Sequence, residues 1–206
     1  MRLDVLLVKR GFFKSRNRAK IAIEHGLVIV NGKVVKKPSM EVEYDAEIIV
    51  LDDKPAGYWK LKELDEKFGI FKGDEVVLDL GSSAGGFLLY ASEKAKFVYG
   101  IEFSREFEDL LREIEKERGN VKVFIEDAFK FDISKIEALD IILNDLTLDF
   151  TSSMKVLRRF LPKLKNDGKV LFVVKGDEEV DFSDFEIINF DFAKRKKEKY
   201  YLLRLR

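Results

Sequence analysis

The sequence predicts an α/β protein in which a doubly wound, mostly parallel seven-stranded sheet follows a small α+β module. From residue 59 onward, segments with helical and strand periodicity alternate, which is typical of a parallel sheet covered by helices on both faces. The length of 206 residues suits one ordinary domain and one small domain. We therefore predict a small module at 1–52, a linker at 53–58 and a large domain at 59–206.

The small module has the pattern helix, helix, hairpin, strand. Leucines at helical spacing predict a first helix at 3–10, and Ser15 is placed to cap a second helix that ends near Gly26. The dipeptide at 31–32, Asn-Gly, joins two β-branched runs and indicates a hairpin with a type I′ turn. A third strand is predicted at 47–51.

The large domain is predicted to close with two strands that have almost no helix between them, after a regular alternation of strands and helices. Its predicted strands are 75–80, 97–102, 121–126, 139–145, 169–174, 185–192 and 199–205. Its predicted helices are 59–68, 85–94, 104–118, 133–138 and 152–165.

Composition excludes several classes of function. The chain has no cysteine and one histidine, which excludes disulfides and thiol catalysis and argues against a structural zinc site. No apolar run approaches the roughly 18 residues that cross a bilayer, and charges interrupt the N-terminus where a signal peptide needs an apolar core. We expect a cytoplasmic protein that uses no metal.

Basic residues are concentrated at both ends, although the formal net charge is zero. Residues 1–37 contain ten Lys or Arg against two acids, and the last thirteen residues contain seven against Glu198 alone. This distribution suggests a polyanionic partner such as RNA, the alternative being ordinary solvated faces. Phe12 and Phe13 could stack on bases, but closing the small core is the favoured interpretation. The candidate RNA-binding residues are Arg16, Arg18, Lys20, Lys33, Lys36 and Lys37.

The segment VVLDLGSSAGGF at 76–87 joins a buried strand to a helix through a glycine-rich turn. Asp79, Gly81 and Gly85 fit the pattern D-x-G-x-x-x-G, and Ser83 stands where a dinucleotide fingerprint needs a glycine. The turn therefore favours S-adenosylmethionine over a nicotinamide cofactor, while a purely structural turn stays open. The candidate cofactor residues here are Asp79, Gly81, Ser82, Gly85, Gly86 and Phe87, to which Asp145 is added.

Two acids end the next two predicted strands. Glu102 is placed to accept hydrogen bonds from the ribose hydroxyls of the cofactor, and Asp127 to accept from the adenine amino group. Each alone could be a solvated strand end. Together with Asp79 they give acids at three successive strand ends, which favours a ligand site.

Four further charged residues suggest the reaction: Lys60 on the leading helix, Asp145 and Lys175 at the ends of the fourth and fifth strands, and Glu198 at the start of the last. The fourth and fifth strands lie on the same side of the central strand in a doubly wound sheet, so Asp145 and Lys175 should face a bound methyl group. Attack by a ribose hydroxyl requires a base, and a lysine serves if burial and a neighbouring cation lower its pKa. The alternative for each residue is a surface charge.

At these residues the large domain resembles the FtsJ-type ribose 2′-O-methyltransferases. That resemblance implies the catalytic tetrad Lys60 in GYWKLKEL, Asp145 in LNDL, Lys175 in FVVKG and Glu198 in KKEKYYL, with Lys175 as the base. It also implies a Rossmann-like methyltransferase fold and S-adenosylmethionine as cofactor.

The N-terminal segment SRNRAKIAIEHGLVIVNGKVVKKPS resembles the RNA-binding domain of ribosomal protein S-four. The order of the two domains resembles the TlyA or hemolysin A family, which implies ribosomal RNA or a ribosomal subunit as partner. The chain departs from that family at NDLTLDF and at 176–184, where a helix and a substrate-facing insertion are expected.

The leading hypothesis is therefore an S-adenosylmethionine-dependent ribosomal RNA methyltransferase acting on ribose. The alternative is a weakly active or inactive RNA-binding assembly factor, which the short 176–184 segment favours slightly. Methylation of the exocyclic amino groups of bases is disfavoured because NDLT lacks the prolines and the aromatic ring that hold a flipped base. A pseudouridine synthase would not have the glycine-rich turn, and no amphipathic basic helix supports a membrane-lytic protein.

Overall fold

A computed structural model describes residues 1–13, 15–51, 54–193 and 197–206. The chain divides into two compact units, Met1–Ala56 and Gly57–Arg206. The predicted end of the small module and start of the linker fall on residues 52 and 53, outside the described residues. The helix predicted at 59–68 begins three residues earlier, at Ala56.

The N-terminal unit has the predicted elements: α1 (Leu3–Lys9), α2 (Arg16–Glu24), β1 (Val28–Val30), β2 (Lys33–Val35) and β3 (Ile48–Val50). The strands form an antiparallel sheet in the order β2-β1-β3. Ser15 caps α2 by accepting a hydrogen bond from the Arg18 N–H at 3.3 Å. Asn31 and Gly32 both have positive φ, as a type I′ turn requires. Phe13 is buried in the core of this unit and Phe12 packs against it. The prediction that these two rings close the small core is therefore confirmed.

The C-terminal unit alternates strands and helices before a final hairpin. Its helices are α3 (Ala56–Phe68), α4 (Gly86–Lys94), α5 (Glu108–Glu117) and α6 (Phe150–Phe160), with short 3-10 helices at Arg105–Phe107, Ile133–Lys135 and Leu161–Lys163. Its strands are β4 (Val76–Leu80), β5 (Phe97–Glu102), β6 (Val121–Ile125), β7 (Leu139–Asn144), β8 (Leu164–Lys175), β9 (Phe185–Ala193) and β10 (Glu198–Leu205).

The seven strands form one sheet in the order β6-β5-β4-β7-β8-β10-β9, which confirms the predicted fold class. Strands β4 to β8 are parallel, and β10 runs antiparallel to both β8 and β9. Each face of the sheet carries its own apolar core. The carboxyl ends of the parallel strands therefore meet at one edge, where ligands bind in open α/β sheets.

Three predicted helices are too long. The helix predicted at 152–165 ends at Phe160, and β8 begins at Leu164 rather than at 169. Pro162 explains this end, since proline has no N–H to donate and its ring clashes with the preceding turn of a helix. The helix predicted at 104–118 begins with a 3-10 turn, and the one predicted at 133–138 is a single 3-10 turn.

Residues 176–184 form a connection without helix or strand, where the resemblance implied a helix. Phe182 is buried, with its ring centroid 4.8 Å from that of Tyr201 and 5.3 Å from that of Phe150. Val180 packs against the same core. Glu178 accepts a hydrogen bond from the Phe150 N–H at 2.6 Å, at the start of α6. The short connection is thus anchored by its own side chains.

Replacing Phe182 by alanine should destabilise the C-terminal unit by about 3–5 kcal/mol, because it leaves a cavity among packed rings. The loss can be measured by denaturant unfolding followed through the fluorescence of Trp59, the single tryptophan of the chain, which lies on α3. The matched control is Val180→Ala, which removes a smaller and only partly buried side chain and should cost about 1 kcal/mol. Equal losses in the two variants would contradict a role for Phe182 as the anchor.

Candidate active site

The turn between β4 and α4 is shaped by glycines. Gly81 has φ +80° and its N–H donates to the Ile101 carbonyl at 2.9 Å, which holds the turn against β5. Gly85 has φ +79° and precedes α4, and an added Cβ would lie 2.3 Å from Ile114 Cδ1. No side chain of the described residues caps α4. The N-terminal amides of this helix therefore face the turn, where an anionic group can accept from them.

Substitution of Gly86 by alanine should destabilise the unit by about 3 kcal/mol. An added Cβ would lie 2.5 Å from the Tyr58 nitrogen and 2.7 Å from the Gly57 Cα, and backbone atoms of α3 cannot move aside as a flexible side chain can. Thermal or denaturant unfolding measures the loss. The control is Gly119→Ala, where no atom lies within 4 Å, and it should change stability by less than about 0.5 kcal/mol. A Gly86→Ala variant with the stability of the wild type would show that α3 and α4 are not held this close.

Asp79 is fully buried, and neither carboxylate oxygen has a hydrogen-bond partner among the described residues. Burial raises the pKa of Asp79 to about 7, and the nearby Ser82 hydroxyl, which donates to the Asp79 main-chain carbonyl at 3.4 Å, offsets only part of this effect. A buried carboxylate without donors is costly. The residue therefore fits a ligand that brings its own donors, such as the amino group of S-adenosylmethionine.

The two other predicted acids lie at neighbouring strand ends. Glu102 is buried, and its two oxygens accept from the Ser83 N–H at 2.8 Å and the Ser104 N–H at 2.7 Å. It thus fastens the glycine turn to the end of β5 and keeps lone pairs for further hydroxyl donors. Asp127 accepts from the Phe129 N–H at 2.9 Å through one oxygen.

Sequence reasoning missed an aromatic side chain beside these acids. Phe103, which directly follows Glu102, is 76% exposed. Phe129, two residues after Asp127, is also exposed. An aromatic residue next to an acid at a strand end is the signal that could have indicated a surface for a flat ring.

Lys60, Asp145, Lys175 and Glu198 come together at the same edge of the sheet. The Lys60 Nζ lies 2.8 Å from Asp145 Oδ2 and 3.3 Å from Glu198 Oε2. The Lys175 Nζ lies 3.3 Å from Asp145 Oδ1 and donates to Thr147 Oγ1 at 3.1 Å. Asp145 therefore contacts both lysines, and Glu198 contacts Lys60.

The two lysines have different surroundings. Lys60 is 12% exposed and its ammonium lies 5.6 Å from the ring centroid of Phe87, whereas Lys175 is 32% exposed. Burial works to lower the pKa of Lys60, but the carboxylates of Asp145 and Glu198 outweigh it, so the pKa lies above its ordinary value. Lys60 is consequently held as a cation.

Strand register explains this convergence. Lys175 ends β8 and its Cα is paired with that of Glu198, the first residue of β10. Asp145 directly follows β7, the neighbour of β8. Tyr200, which sequence reasoning missed, donates to Glu198 Oε2 at 2.6 Å. Asn144 is likewise buried and accepts from the Ser153 hydroxyl at 3.0 Å, which fixes the strand end before Asp145 to α6.

The candidate RNA-binding residues are distributed over α2 and the hairpin of the N-terminal unit. Lys33, Lys36 and Lys37 are exposed, whereas Arg18 and Lys20 are half-buried. Arg16 is exposed but donates to the buried Asp4 at 2.9 Å, a partner that sequence reasoning did not foresee. The guanidinium of Arg2, together with that of Arg16, lowers the pKa of Asp4 to about 2. Arg16 thus has a structural contact in addition to its exposed surface.

The sheet order and the glycine turn define a Rossmann-like methyltransferase, and comparison with known proteins gives its family. Residues 56–183 match the FtsJ-like methyltransferase family, and residues 1–48 match the S4 domain. The chain belongs to the FtsJ-like methyltransferase family. Its N-terminal unit is an S4 domain.

Relatives share this arrangement in whole or in part. Hemolysin A of Brachyspira hyodysenteriae is 28% identical over 95% of this chain and 84% of its own length, which supports the resemblance to the hemolysin A family. Ribosomal RNA large subunit methyltransferase E of Bdellovibrio bacteriovorus is 32% identical over 60% of this chain and 69% of its own length. Two longer relatives, from Bacillus subtilis and Methanocaldococcus jannaschii, are matched over only 32% of their lengths.

Solved structures agree on the fold. Fibrillarin of Aeropyrum pernix in complex with S-adenosyl-L-methionine has a TM-score of 0.59 at 18% identity, over 71% of this chain and 75% of that one. An rRNA methylase of Streptococcus thermophilus has a TM-score of 0.56 at 12% identity, over 70% of this chain and 94% of that one. Among the described residues, each helix is too short or too polar to cross a membrane.

Proposed function

We propose that this protein transfers a methyl group from S-adenosylmethionine to a ribose 2′-hydroxyl of ribosomal RNA, with Lys175 as the base. The observation that carries the proposal is the convergence of Lys60, Asp145, Lys175 and Glu198 at the edge of the sheet where the glycine turn also lies. The relatives named as ribosomal RNA methyltransferases support the choice of substrate. Such a substrate places the activity in the cytoplasm.

The cofactor would be held by residues at three strand ends. The unpartnered oxygens of Asp79 suit its amino group, and the uncapped start of α4 suits its carboxylate. Glu102 would accept from its ribose hydroxyls and Asp127 from its adenine, beside the exposed ring of Phe103. The bound cofactor supplies an electrophilic methyl group on a sulfonium.

The tetrad would position and deprotonate the attacking hydroxyl. Lys175 would accept the proton of the attacking 2′-hydroxyl, a role that a lysine can fill only in its amine form. Lys60 is the poorer base because Asp145 and Glu198 hold it in its charged form. The charge of Lys60 would stabilise the developing oxyanion, while Asp145, which contacts the Nζ atoms of both lysines, would keep them oriented.

The S4 domain would dock the RNA. The exposed residues Lys33, Lys36 and Lys37, together with Arg16, Arg18 and Lys20, are suited to phosphates, which position an RNA without reading its sequence. Binding through phosphates should weaken steeply as salt is raised.

The proposal is tested by transfer of a tritiated methyl group from S-adenosylmethionine to ribosomal subunits and to naked ribosomal RNA. Labelling of either substrate supports it. If calorimetry shows that the protein binds the cofactor but no RNA is labelled, an RNA-binding assembly factor replaces the enzyme as the better interpretation. The short connection at 176–184 is the feature that would favour that outcome.

A further inference from the structure

A buried carboxylate joins two exposed arginines in the N-terminal unit. Asp4 is fully buried, and it accepts from Arg2 Nε at 3.0 Å and from Arg2 Nη2 at 3.1 Å. Arg16 Nη2 donates to the same oxygen, Asp4 Oδ2, at 2.9 Å. The two Nη2 atoms are therefore at most 6.0 Å apart, the sum of their distances to that shared oxygen. The side chains of Arg2 and Arg16 nevertheless reach the surface, being 43% and 53% exposed.

This cluster of Arg2, Asp4 and Arg16 carries a net positive charge. The guanidiniums of Arg2 and Arg16 lower the pKa of Asp4 to about 2, so its carboxylate is ionised at neutral pH and offsets only one of the two cations. Among the described residues, Asp4 is the only hydrogen-bond or ion-pair partner of either guanidinium, and both keep N–H donors for a ligand. The charge of Glu41 also acts on Arg2, but Glu41 is exposed and pairs with the N-terminal ammonium at 2.8 Å.

Candidate RNA-binding lysines adjoin the cluster through the backbone. The Asp4 N–H donates to the Pro38 carbonyl at 3.1 Å, which holds the start of α1 against the turn after the hairpin. Lys37 directly precedes Pro38, and both Lys37 and Lys36 are exposed. Basic residues from the start of α1, the start of α2 and the end of the hairpin therefore lie next to one another.

We propose that Asp4 is a positioning residue that holds Arg2 and Arg16 together as one binding site for a phosphate of the substrate RNA. This proposal rests on the proposed function, in which the S4 domain docks RNA. Two neighbouring guanidiniums can donate to different oxygens of one phosphate, with a planar geometry that lysine does not reproduce. Because Asp4 fixes both side chains before RNA arrives, binding loses less side-chain entropy. An acidic protein segment is the competing occupant, but the adjoining lysines favour the repeated phosphates of a nucleic acid.

The positioning role is tested by the affinity of the full chain for naked ribosomal RNA. Asp4→Asn removes a negative charge, so net charge alone would make binding equal or tighter. We expect the opposite, a Kd raised by about 5- to 30-fold, because asparagine cannot hold both guanidiniums in place. Asp45→Asn, at an exposed acid of the same unit, is the matched control and should not raise the Kd. An Asp4→Asn variant that is folded by circular dichroism and binds RNA as tightly as the wild type would overturn the proposal.

Substitution of the exposed arginines tests the site without changing a buried residue. Arg2→Ala and Arg16→Ala should each raise the Kd by about 5- to 30-fold and reduce the slope of log affinity against log salt by about 1, which a loss of stability alone would not do. Arg2→Lys keeps the charge but not the planar fork, so it should lose affinity while the slope stays near that of the wild type. Arg10→Ala is the matched control, since Arg10 is an exposed arginine of the same unit that donates to the Ala46 carbonyl at 2.6 Å. It should leave both Kd and slope unchanged.

The outcomes separate this site from the methyl transfer. Unchanged RNA affinity in Arg2→Ala and Arg16→Ala would overturn the phosphate site alone, even if the wild type methylates ribosomal RNA. If these variants bind naked RNA normally but lose affinity for ribosomal subunits, the site belongs to a protein partner and the proposal is overturned. A wild-type protein that binds no ribosomal RNA would overturn both the site and the proposed function.

Discussion

Lys175→Ala is expected to lower kcat for methylation of ribosomal RNA by about 10²- to 10⁴-fold, the range that a positioned general base contributes. Lys175 is the tetrad lysine with the looser contacts, 3.3 Å to Asp145 and 3.1 Å to Thr147, and the more exposed side chain. Removing it leaves the glycine turn intact, so affinity for S-adenosylmethionine should stay within about threefold. Rapid-quench transfer assays give kcat, and calorimetry gives the cofactor affinity.

The control for that experiment is Lys165→Ala. Lys165 lies at the opposite end of the same strand and pairs with Asp140 at the surface, so its loss should leave kcat unchanged. A Lys175→Ala variant that labels RNA at the wild-type rate would eliminate Lys175 as the base. Loss of cofactor affinity in that variant would show that Lys175 acts in binding rather than in proton transfer.

Asp79→Asn is expected to abolish cofactor binding and, at the same time, to stabilise the free protein by about 2–4 kcal/mol at pH 8. In the folded state Asp79 keeps its proton up to about pH 7, whereas in the unfolded chain it loses it near 3.8. The folded state therefore binds more protons between these values, and stability falls as pH rises from about 4 to about 7. A difference of about 3 between the two pKa values corresponds to a loss of about 4 kcal/mol in the free energy of unfolding of the wild type. The Asp79→Asn variant should avoid most of this loss because asparagine carries no charge.

The pH dependence supplies the check. Wild type and Asp79→Asn should have similar stability near pH 4 and should diverge toward pH 7, with no further divergence above it. Asp74→Asn, an exposed acid just before β4, is the control and should differ from wild type by less than about 0.5 kcal/mol throughout. A Asp79→Asn variant that is less stable than wild type at pH 8 would mean that the carboxylate is stabilised by partners in the free protein.

Local rules predicted the parts of the fold that depend on neighbouring residues. Asn31 and Gly32 predicted the hairpin because few residues tolerate positive φ, and Ser15 predicted the start of α2 because its hydroxyl satisfies an amide of the first turn. Asp145 and Lys175 could be placed at one edge because the order of parallel strands follows from the alternation of strands and helices, whereas Lys60 and Glu198 were assigned to the tetrad by the family resemblance.

What depended on contacts between distant residues could not be predicted. The ion pair of Arg16 with Asp4 joins two helices, and the hydrogen bond of Tyr200 to Glu198 depends on the side chains that the hairpin brings together. The packing of Phe182 could not be anticipated because a nine-residue connection gives no periodic pattern. These contacts decide which side chains are free to meet a ligand.

Transfer of the methyl group to ribose can be recognised by the position of the label in the RNA. Ribosomal RNA labelled by the wild-type protein with tritiated S-adenosylmethionine would be hydrolysed with alkali. A 2′-O-methyl group prevents cleavage of the adjoining phosphodiester, so the label should appear in alkali-resistant dinucleotides. Label that is recovered only in mononucleotides would place the methyl group on a base and contradict ribose methylation by this tetrad.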